Sequence, residues 1–549
     1  MYEEQSSIQQ NKIIMDTSKC DLHYLKPNVV IEPLVEKWYA WPHLISPATL
    51  AMNIRGRHLK IMDSYIQAPY IHEAAVRNPK MLGGPFMDFK EQRVEEIRLL
   101  KEDTLLNQAA LIEFGKAIIE LDTLLKQQAR GFSLEQLYDK IPDILKGYVE
   151  LQYDLNNYPS FRFFESLLYH SEFYSTKSQS IALWVTENDQ RPFCLSTPRI
   201  GLPGVLHLNL PFEHPGIDDF CRMKRRPGSV ENIAALLNIQ PDQFELFKSF
   251  FTKEEHPDYK KYQGESVRMR YFGHACILIE TKEVSILVDP LISYYGYDSE
   301  VNHFSDVDLP DIIDCVLITH NHQDHILLET LLPLRNKIKN IIVPRTNSGA
   351  LQDPNLRLLF NHIGFHNVIE VDELEKIKVD NFTITGIPFT GEHSDLNIRA
   401  KTCYHVQIGD LSFLFVADSR IVEARLYEHV HKIIGDVDVI FLGMECDGAP
   451  LSWLYGPLLT EEISRDKDQS RRLAGSDFER GMPLVDIFNP KEVYVYAMGQ
   501  EPWLEFISTV KYTDASNPII QSNKLVEACN NRGIISERLF GEKELLFKA

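Results

Sequence analysis

Within six residues, His320-Asn321-His322-Gln323-Asp324-His325, the chain places three imidazoles and a carboxylate, directly after the apolar run Ile312-Ile313-Asp314-Cys315-Val316-Leu317-Ile318-Thr319. Imidazole nitrogen and carboxylate oxygen are common protein ligands of first-row metals. The preceding run is β-branched and apolar enough for a buried strand, and from Ile326-Leu327-Leu328-Glu329 onward the apolar spacing is helical. The motif therefore falls in a strand-to-helix turn. There His320 and His322, two residues apart, can face one ion while Asp324 and His325 continue round the bend towards a second. The pattern predicts a two-metal site; a polar turn of solvated histidines is the plainer alternative.

The rest of the chain must position that turn. Its 549 residues exceed what one core usually serves, and 44% hydrophobic with 25% charged residues is ordinary for a soluble globular enzyme. A formal net charge of -21 argues against a nucleic-acid partner, which needs a positive surface. The eight cysteines (Cys20, Cys194, Cys221, Cys276, Cys315, Cys403, Cys446 and Cys529) contain no C-x-x-C pair and read as reduced residues of a cytoplasmic protein. Met1-Tyr2-Glu3-Glu4-Gln5-Ser6-Ser7 has no basic segment leading into an apolar one, and no run is long enough to span a bilayer, so neither export nor a membrane partner is expected.

Along the chain, residues 1 to about 80 read as irregular with short strands, since Pro27, Pro33, Pro42, Pro47, Pro69 and Pro79 would break a long helix. Apolar positions recur at three and four from Asp88 to Gln128, which predicts a helix pair. Ser133-Leu134-Glu135-Gln136 offers a capping box for a helix through Ile144. Strands near Ile181–Thr186 and Gly204–Leu208 make this half mixed rather than purely helical. Arg222-Met223-Lys224-Arg225-Arg226 is the densest basic cluster and reads as a solvated loop, with docking of an acidic partner as the alternative. A polar, proline-containing stretch from Thr252 to Ser266 suits a linker, so we place a boundary near 262, giving residues 1–262 and 263–549. After it, short strands dominate, from Val267–Phe272 to Val493–Tyr496. Strands so clustered predict two sheets packed face to face with helices outside. The expected fold class is α+β.

Further residues join the motif. Gly273-His274 precedes a strand, Asp289-Pro290 follows one, Gly391-Glu392-His393 forms a tight turn, and Phe415-Val416-Ala417-Asp418 ends a strand in a carboxylate. Over roughly residues 265–510 these features resemble the metallo-β-lactamase superfamily. The resemblance implies an αββα sandwich with a dinuclear site bridged by Asp418; a strand-end aspartate capping the next helix is the structural alternative. Hydrolases of that superfamily complete the second metal with a histidine near the C-terminus. Here the last histidine is His431, and the corresponding stretch reads Val493-Tyr494-Val495-Tyr496-Ala497-Met498-Gly499-Gln500-Glu501-Pro502-Trp503. What remains is His320, His322, Asp324, His325, Asp418 and either Glu392 or His393, which leave the same turn and which local sequence does not separate. With Glu392 the set has three carboxylates, an oxygen-rich donor set of the kind that suits paired irons and O2 chemistry, whereas zinc can activate water but cannot reduce O2.

With its long first half, the chain is similar to the diiron β-hydroxylases of nonribosomal peptide pathways, the chloramphenicol pathway among them. The resemblance implies that His320, His322 and Glu392 hold one iron, Asp324 and His325 the other, with Asp418 between. His393 is then a neighbour. It also implies an aminoacyl thioester on a nonribosomal peptide synthetase carrier domain as substrate, O2 as co-substrate, an external electron donor, and a first half serving homodimerisation and carrier docking. Glu445, in Gly443-Met444-Glu445-Cys446-Asp447 after a buried strand, is expected to be a gating carboxylate, with a surface turn as the alternative. His274 reads as structural, and Asp289 as a hydrogen-bonding anchor of the ligand loop. A dinuclear hydrolase, lactonase or phosphodiesterase in type, and a metal-free scaffold are the competing readings.

Overall fold

The computed structural model describes residues 21–257, 259–347 and 349–548. Cys20, the segment Met1–Ser7 and linker residue Asp258 lie outside the described residues.

Two of the prolines expected to break helices begin them instead. Pro47 and Pro69 stand at the starts of Pro47–Asn53 and Pro69–Val76, where the missing N–H removes no intrahelical bond. With the π-turn Ile54–His58 and the helix Leu59–Gln67 between them, residues 47–76 are almost wholly helical. The predicted pair is present as Val94–Asn107 and Ala109–Gln128. Ser133 Oγ does accept the Glu135 N–H at 3.3 Å, but the chain tightens into the 3-10 turns Glu135–Lys140 and Asp143–Leu145 rather than an α-helix. Pro142 accounts for that, because it supplies no N–H and disfavours helical geometry at the residue before it. Strands Val29–Val35 and Gln179–Val185 pair antiparallel at the centre of a four-stranded sheet.

The strands after residue 266 form two seven-stranded sheets, apart from Ala449–Pro450 and Arg472–Leu473, which pair with each other. In spatial order the first runs Val368–Val371, Ile338–Pro344, Ile313–Leu317, Ser285–Val288, Ile277–Glu280, Val267–Tyr271 and Lys543–Phe547. The second runs Lys376–Val379, Phe382–Ile387, Cys403–Ile408, Leu411–Phe415, Val439–Gly443, Glu492–Tyr496 and Ile535–Arg538. Their facing surfaces share one core, with Met269, Ile279 and Leu317 from the first sheet against Tyr404, Phe413 and Phe441 from the second. Helices Ala424–Ile434, Phe478–Phe488 and Asn517–Asn531 cover the outside of the second sheet through Tyr427, Phe488 and Leu525.

What covers the outside of the first sheet is the first half of the chain. Leu25, Leu183 and Phe212 belong to the same apolar cluster as Leu278, Leu287 and Val316. This explains why Ile313–Leu317 reads as a continuous apolar run: Val316 and Ile318 face that cluster while Cys315 and Leu317 face the inter-sheet core. Polar bonds cross the same contact. Arg335 donates to the Phe212 carbonyl at 2.5 Å and pairs with Asp218 at 3.0 Å. Among the described residues seven cysteines are unpaired, six of them buried, and no helix is long and apolar enough to cross a membrane.

Candidate metal centre

Asp289, at the end of Ser285–Val288, ties the histidine loop to the sheet. Its Oδ1 accepts the Thr319 N–H at 2.8 Å, and its Oδ2 accepts the Thr319 hydroxyl at 2.6 Å and the His325 Nδ1–H at 2.8 Å. The anchoring role expected for this residue is the one it fills. Because the Thr319 hydrogen goes to Asp289, the contact of Thr319 Oγ1 with His320 Nδ1 at 3.0 Å requires the ring to donate. Both His320 and His325 thus carry a proton on Nδ1 and turn Nε2 into the site.

His320 Nε2 meets a carboxylate oxygen and no donor, whereas His325 Nε2 lies between Asp418 and His274 Nε2, 3.2 Å from the latter. His325 Nε2 lies 3.0 Å from Asp418 Oδ2, and His320 Nε2 lies 3.8 Å from the same oxygen with no hydrogen-bond partner. Asp418 Oδ1 is buried and also unpartnered. Burial lowers the His325 imidazole, but Asp418, Asp289 and Asp324 outweigh it and raise the ring well above the usual histidine range, so the His325–Asp418 contact demands a cation, a proton or a metal ion. With His320 Nε2 and Asp418 Oδ1 buried and unpartnered beside it, this donor set fits metal ions. Two groups have their ligand atoms within 4.8 Å of one another, His320 with His322 and Glu392, and His274 with Asp324, His325 and Asp418. Burial and the imidazoles of His325 and His322 hold His320 well below the usual histidine range, which keeps it neutral and able to ligate.

The turn bearing Glu392 is backbone-strained, with positive φ at Gly391, Glu392, Ser394 and Asp395 (65°, 63°, 54° and 57°). This turns Glu392 Oε1 towards His322 Nδ1 at 3.1 Å, while His393 stacks on the His322 ring at 4.4 Å and lies outside both groups. Burial raises the Glu392 carboxyl, but the imidazoles of His322 and His393 outweigh it and hold it low, so it is an anion.

Asp418 follows Ala417, which has φ 48°, and packs against the neighbouring strand end at Gly443. A Cβ on Gly443 would lie 2.4 Å from the Ala417 carbonyl oxygen and 2.8 Å from Asp418 Oδ1. We therefore expect Gly443→Ala to fold with Asp418 displaced and to retain less than half of the bound metal, as read by metal analysis of the purified variant. Wild-type metal content in that variant would contradict the placement.

His274 sits closer to the cluster than a purely structural histidine would. Its Nδ1 accepts the Gly499 N–H at 3.2 Å, so the proton of the neutral ring is on Nε2, which lies 3.4 Å from Asp324 Oδ2. It offers a donor to Asp324 rather than a lone pair to a metal, despite its proximity. Gly499 belongs to the stretch where hydrolases of this fold carry their last histidine, and here a backbone amide reaches in. Sequence reasoning missed Tyr455, whose hydroxyl is 2.9 Å from His322 Nε2; an apolar helix 133 residues away in sequence gave no signal.

The site opens into a cavity of about 400 Å³ lined by His322, Asp324, Glu392, Asp418 and Glu445 on one side and by Lys80, Leu82, Trp453 and Arg472 on others. Glu445 is thus brought to the ligands. Burial, then Asp418 and Asp324, push its carboxyl well above the ordinary range, so it holds a proton.

Two sheets, outer helices and a paired histidine–carboxylate centre at their edge define a metallo-β-lactamase-type fold with a dinuclear site. Residues 24–255 match the model of the diiron non-heme β-hydroxylase N-terminal domain, and residues 268–448 that of the β-lactamase superfamily domain. The chain is 37% identical over 522 residues to the 4-amino-L-phenylalanyl-[CmlP-peptidyl-carrier-protein] 3-hydroxylase of Streptomyces venezuelae, covering 94% of this chain and 98% of that protein. The crystal structure of CmlA, a diiron β-hydroxylase from Streptomyces venezuelae, superposes with a TM-score of 0.90 at 36% identity, covering 96% of this chain and all of that one. A UPF0173 protein of Pyrococcus abyssi is 30% identical over 179 residues, 32% of this chain and 69% of its own length. The chain belongs to the diiron non-heme β-hydroxylase family, and its cofactor is a pair of non-heme irons. The hydrolase alternative gives way to an oxidative enzyme.

Proposed function

We propose that this enzyme hydroxylates the β-carbon of an aminoacyl group presented as a thioester by a nonribosomal peptide synthetase carrier domain. The observation that carries the reading is the pair of adjoining histidine and carboxylate groups that open on one cavity, with His320 Nε2, Glu392 Oε2 and Asp418 Oδ1 buried and unpartnered. The relative from Streptomyces venezuelae is named for a carrier-bound aminoacyl substrate. His320, His322 and Glu392 would hold one iron and Asp324 and His325 the other, with Asp418 as a ligand shared between the two groups. When bound, the iron pair supplies the redox chemistry that activates O2 against a C–H bond. Overall, O2, two protons and two electrons from an external donor would place one oxygen atom in the product hydroxyl and the other in water.

The chain's own residues bind, orient and shield. Asp289 and Thr319 fix the proton on Nδ1 of His325 and His320, keeping Nε2 of each available. His274 turns its Nε2 towards His325 and Asp324 of the ligand loop, at 3.2 Å and 3.4 Å. Glu445, lining the cavity beside Asp418 and Asp324, is the gating carboxyl group that would move towards the ligands when an acyl group enters. Trp453 and Leu454 give the cavity apolar walls that exclude water. The division near residue 262 separates a first half for homodimerisation and carrier docking from the catalytic half, in a cytoplasmic enzyme. Metal analysis after anaerobic loading tests the assignment: two irons per chain are expected, and preferential stoichiometric zinc with thioester hydrolysis would overturn it.

A further inference from the structure

The helix Leu451–Tyr455 stands between the metal centre and the first half of the chain. Its C-terminal end is gripped by the π-turn Ile54–His58, an element that recurs at functional sites. From that turn the buried Arg57 donates through one terminal nitrogen to the Trp453 carbonyl at 2.5 Å and the Leu454 carbonyl at 3.2 Å. Gly56 approaches so closely that a Cβ there would lie 2.9 Å from Pro457 Cα and 2.9 Å from its carbonyl oxygen. On another side, the Trp453 indole donates to the Gly83 carbonyl at 2.9 Å. At that same end, one residue on from the Leu454 carbonyl, the buried Tyr455 hydroxyl meets His322 Nε2 at 2.9 Å.

The ring of His322 is turned the opposite way from those of His320 and His325. Its Nδ1 faces Glu392 at 3.1 Å, so a metal there leaves the proton on Nε2, and Tyr455 is the acceptor that receives it. We propose that Arg57, seated in the first half, is a positioning residue for the metal centre, acting through the helix Leu451–Tyr455 and the Tyr455–His322 hydrogen bond. The first half thereby sets how tightly the His322 site holds its ion, beyond covering the sheet. The proposal rests on His322 sharing an ion with His320 and Glu392.

The test is titration of the full-length apoprotein with Co(II) under anaerobic conditions, using competition by a chelator and the visible absorption of the bound ion. Wild type should bind two ions, and His320→Ala should lose one. Tyr455→Phe, which removes only a hydroxyl, should weaken that same ion by about 10–100-fold and change its absorption band while the other ion is unaffected. Arg57→Met should weaken the same ion, and the double variant should be no weaker than the weaker single variant, because both act through one path. Wild-type affinity in Tyr455→Phe, or penalties that add in the double variant, would overturn the proposal. If Arg57→Met does not fold, Arg57→Lys takes its place, and a folded Arg57→Lys protein with unchanged affinity overturns the proposal equally. If His320→Ala keeps both ions, the ligand assignment itself fails, which is a different outcome from failure of the relay.

Discussion

Glu392→Ala should leave one iron per chain in place of two and lower hydroxylation by more than about 100-fold, beyond the loss typical of removing a ligand's hydrogen-bond partner. His393→Ala should keep both irons and a measurable fraction of the rate. The two side chains are sequence neighbours in one strained turn, yet they face different things. Glu392 Oε1 points at His322 Nδ1 from 3.1 Å and groups with His320 and His322, whereas His393 lies flat on the His322 ring. Removing Glu392 takes a negative charge from a buried cluster of imidazoles that must share a doubly charged ion. Removing His393 takes away a stacking surface and the imidazole 2.8 Å from Glu392 Oε2, but leaves the Glu392 carboxylate and the His320 and His322 rings to hold an ion. Iron content and turnover, measured together on both variants, check the assignment, and the reverse pattern would make His393 the ligand.

Arg191→Ala should lower the urea unfolding midpoint sharply, with a local cost of about 3–5 kcal/mol, the range for removing one partner of a buried ion pair. The Arg191 guanidinium lies between Glu32 of the first half, at 2.5 Å, and Glu329, at 2.8 Å and 2.9 Å. Glu32 is fully buried and Glu329 is 5% exposed. Arg199 still pairs with Glu32 at 3.0 Å, so the carboxylate left without a cation is Glu329. Tyr294 donates to it at 2.6 Å, but a neutral hydroxyl does not balance its charge. Glu329 lies four residues beyond His325 on the helix Leu328–Leu334, so the strain reaches the ligand loop. Arg191→Ala combined with Glu329→Gln should recover part of the loss, since the stranded charge is then gone. An unchanged midpoint in the single variant would show that water reaches the site and screens it.

The metal loop was readable because its residues are contiguous and their chemistry is rare at such density. The sandwich was readable because strands buried on both faces, such as Ile313–Leu317, write themselves as unbroken apolar runs. The edge strands Lys376–Val379, Ile535–Arg538 and Lys543–Phe547 escaped notice, being short and alternating with charged residues. Pro47 and Pro69 misled because proline breaks a helix interior but suits its first turn. The choice of Glu392 over His393 depends on positive φ angles that a sequence does not print. Tyr455 and Arg57 depend on partners 133 and roughly 400 residues away, contacts that local patterns cannot encode.

The central claim is tested most directly by offering the iron-loaded, chemically reduced enzyme an aminoacyl thioester on its carrier domain under heavy-isotope O2, then weighing the released amino acid. The account predicts a gain of one heavy oxygen atom, located on the β-carbon, with the thioester intact before release. A product that is only the hydrolysed amino acid, or a hydroxyl whose oxygen comes from water, would contradict it.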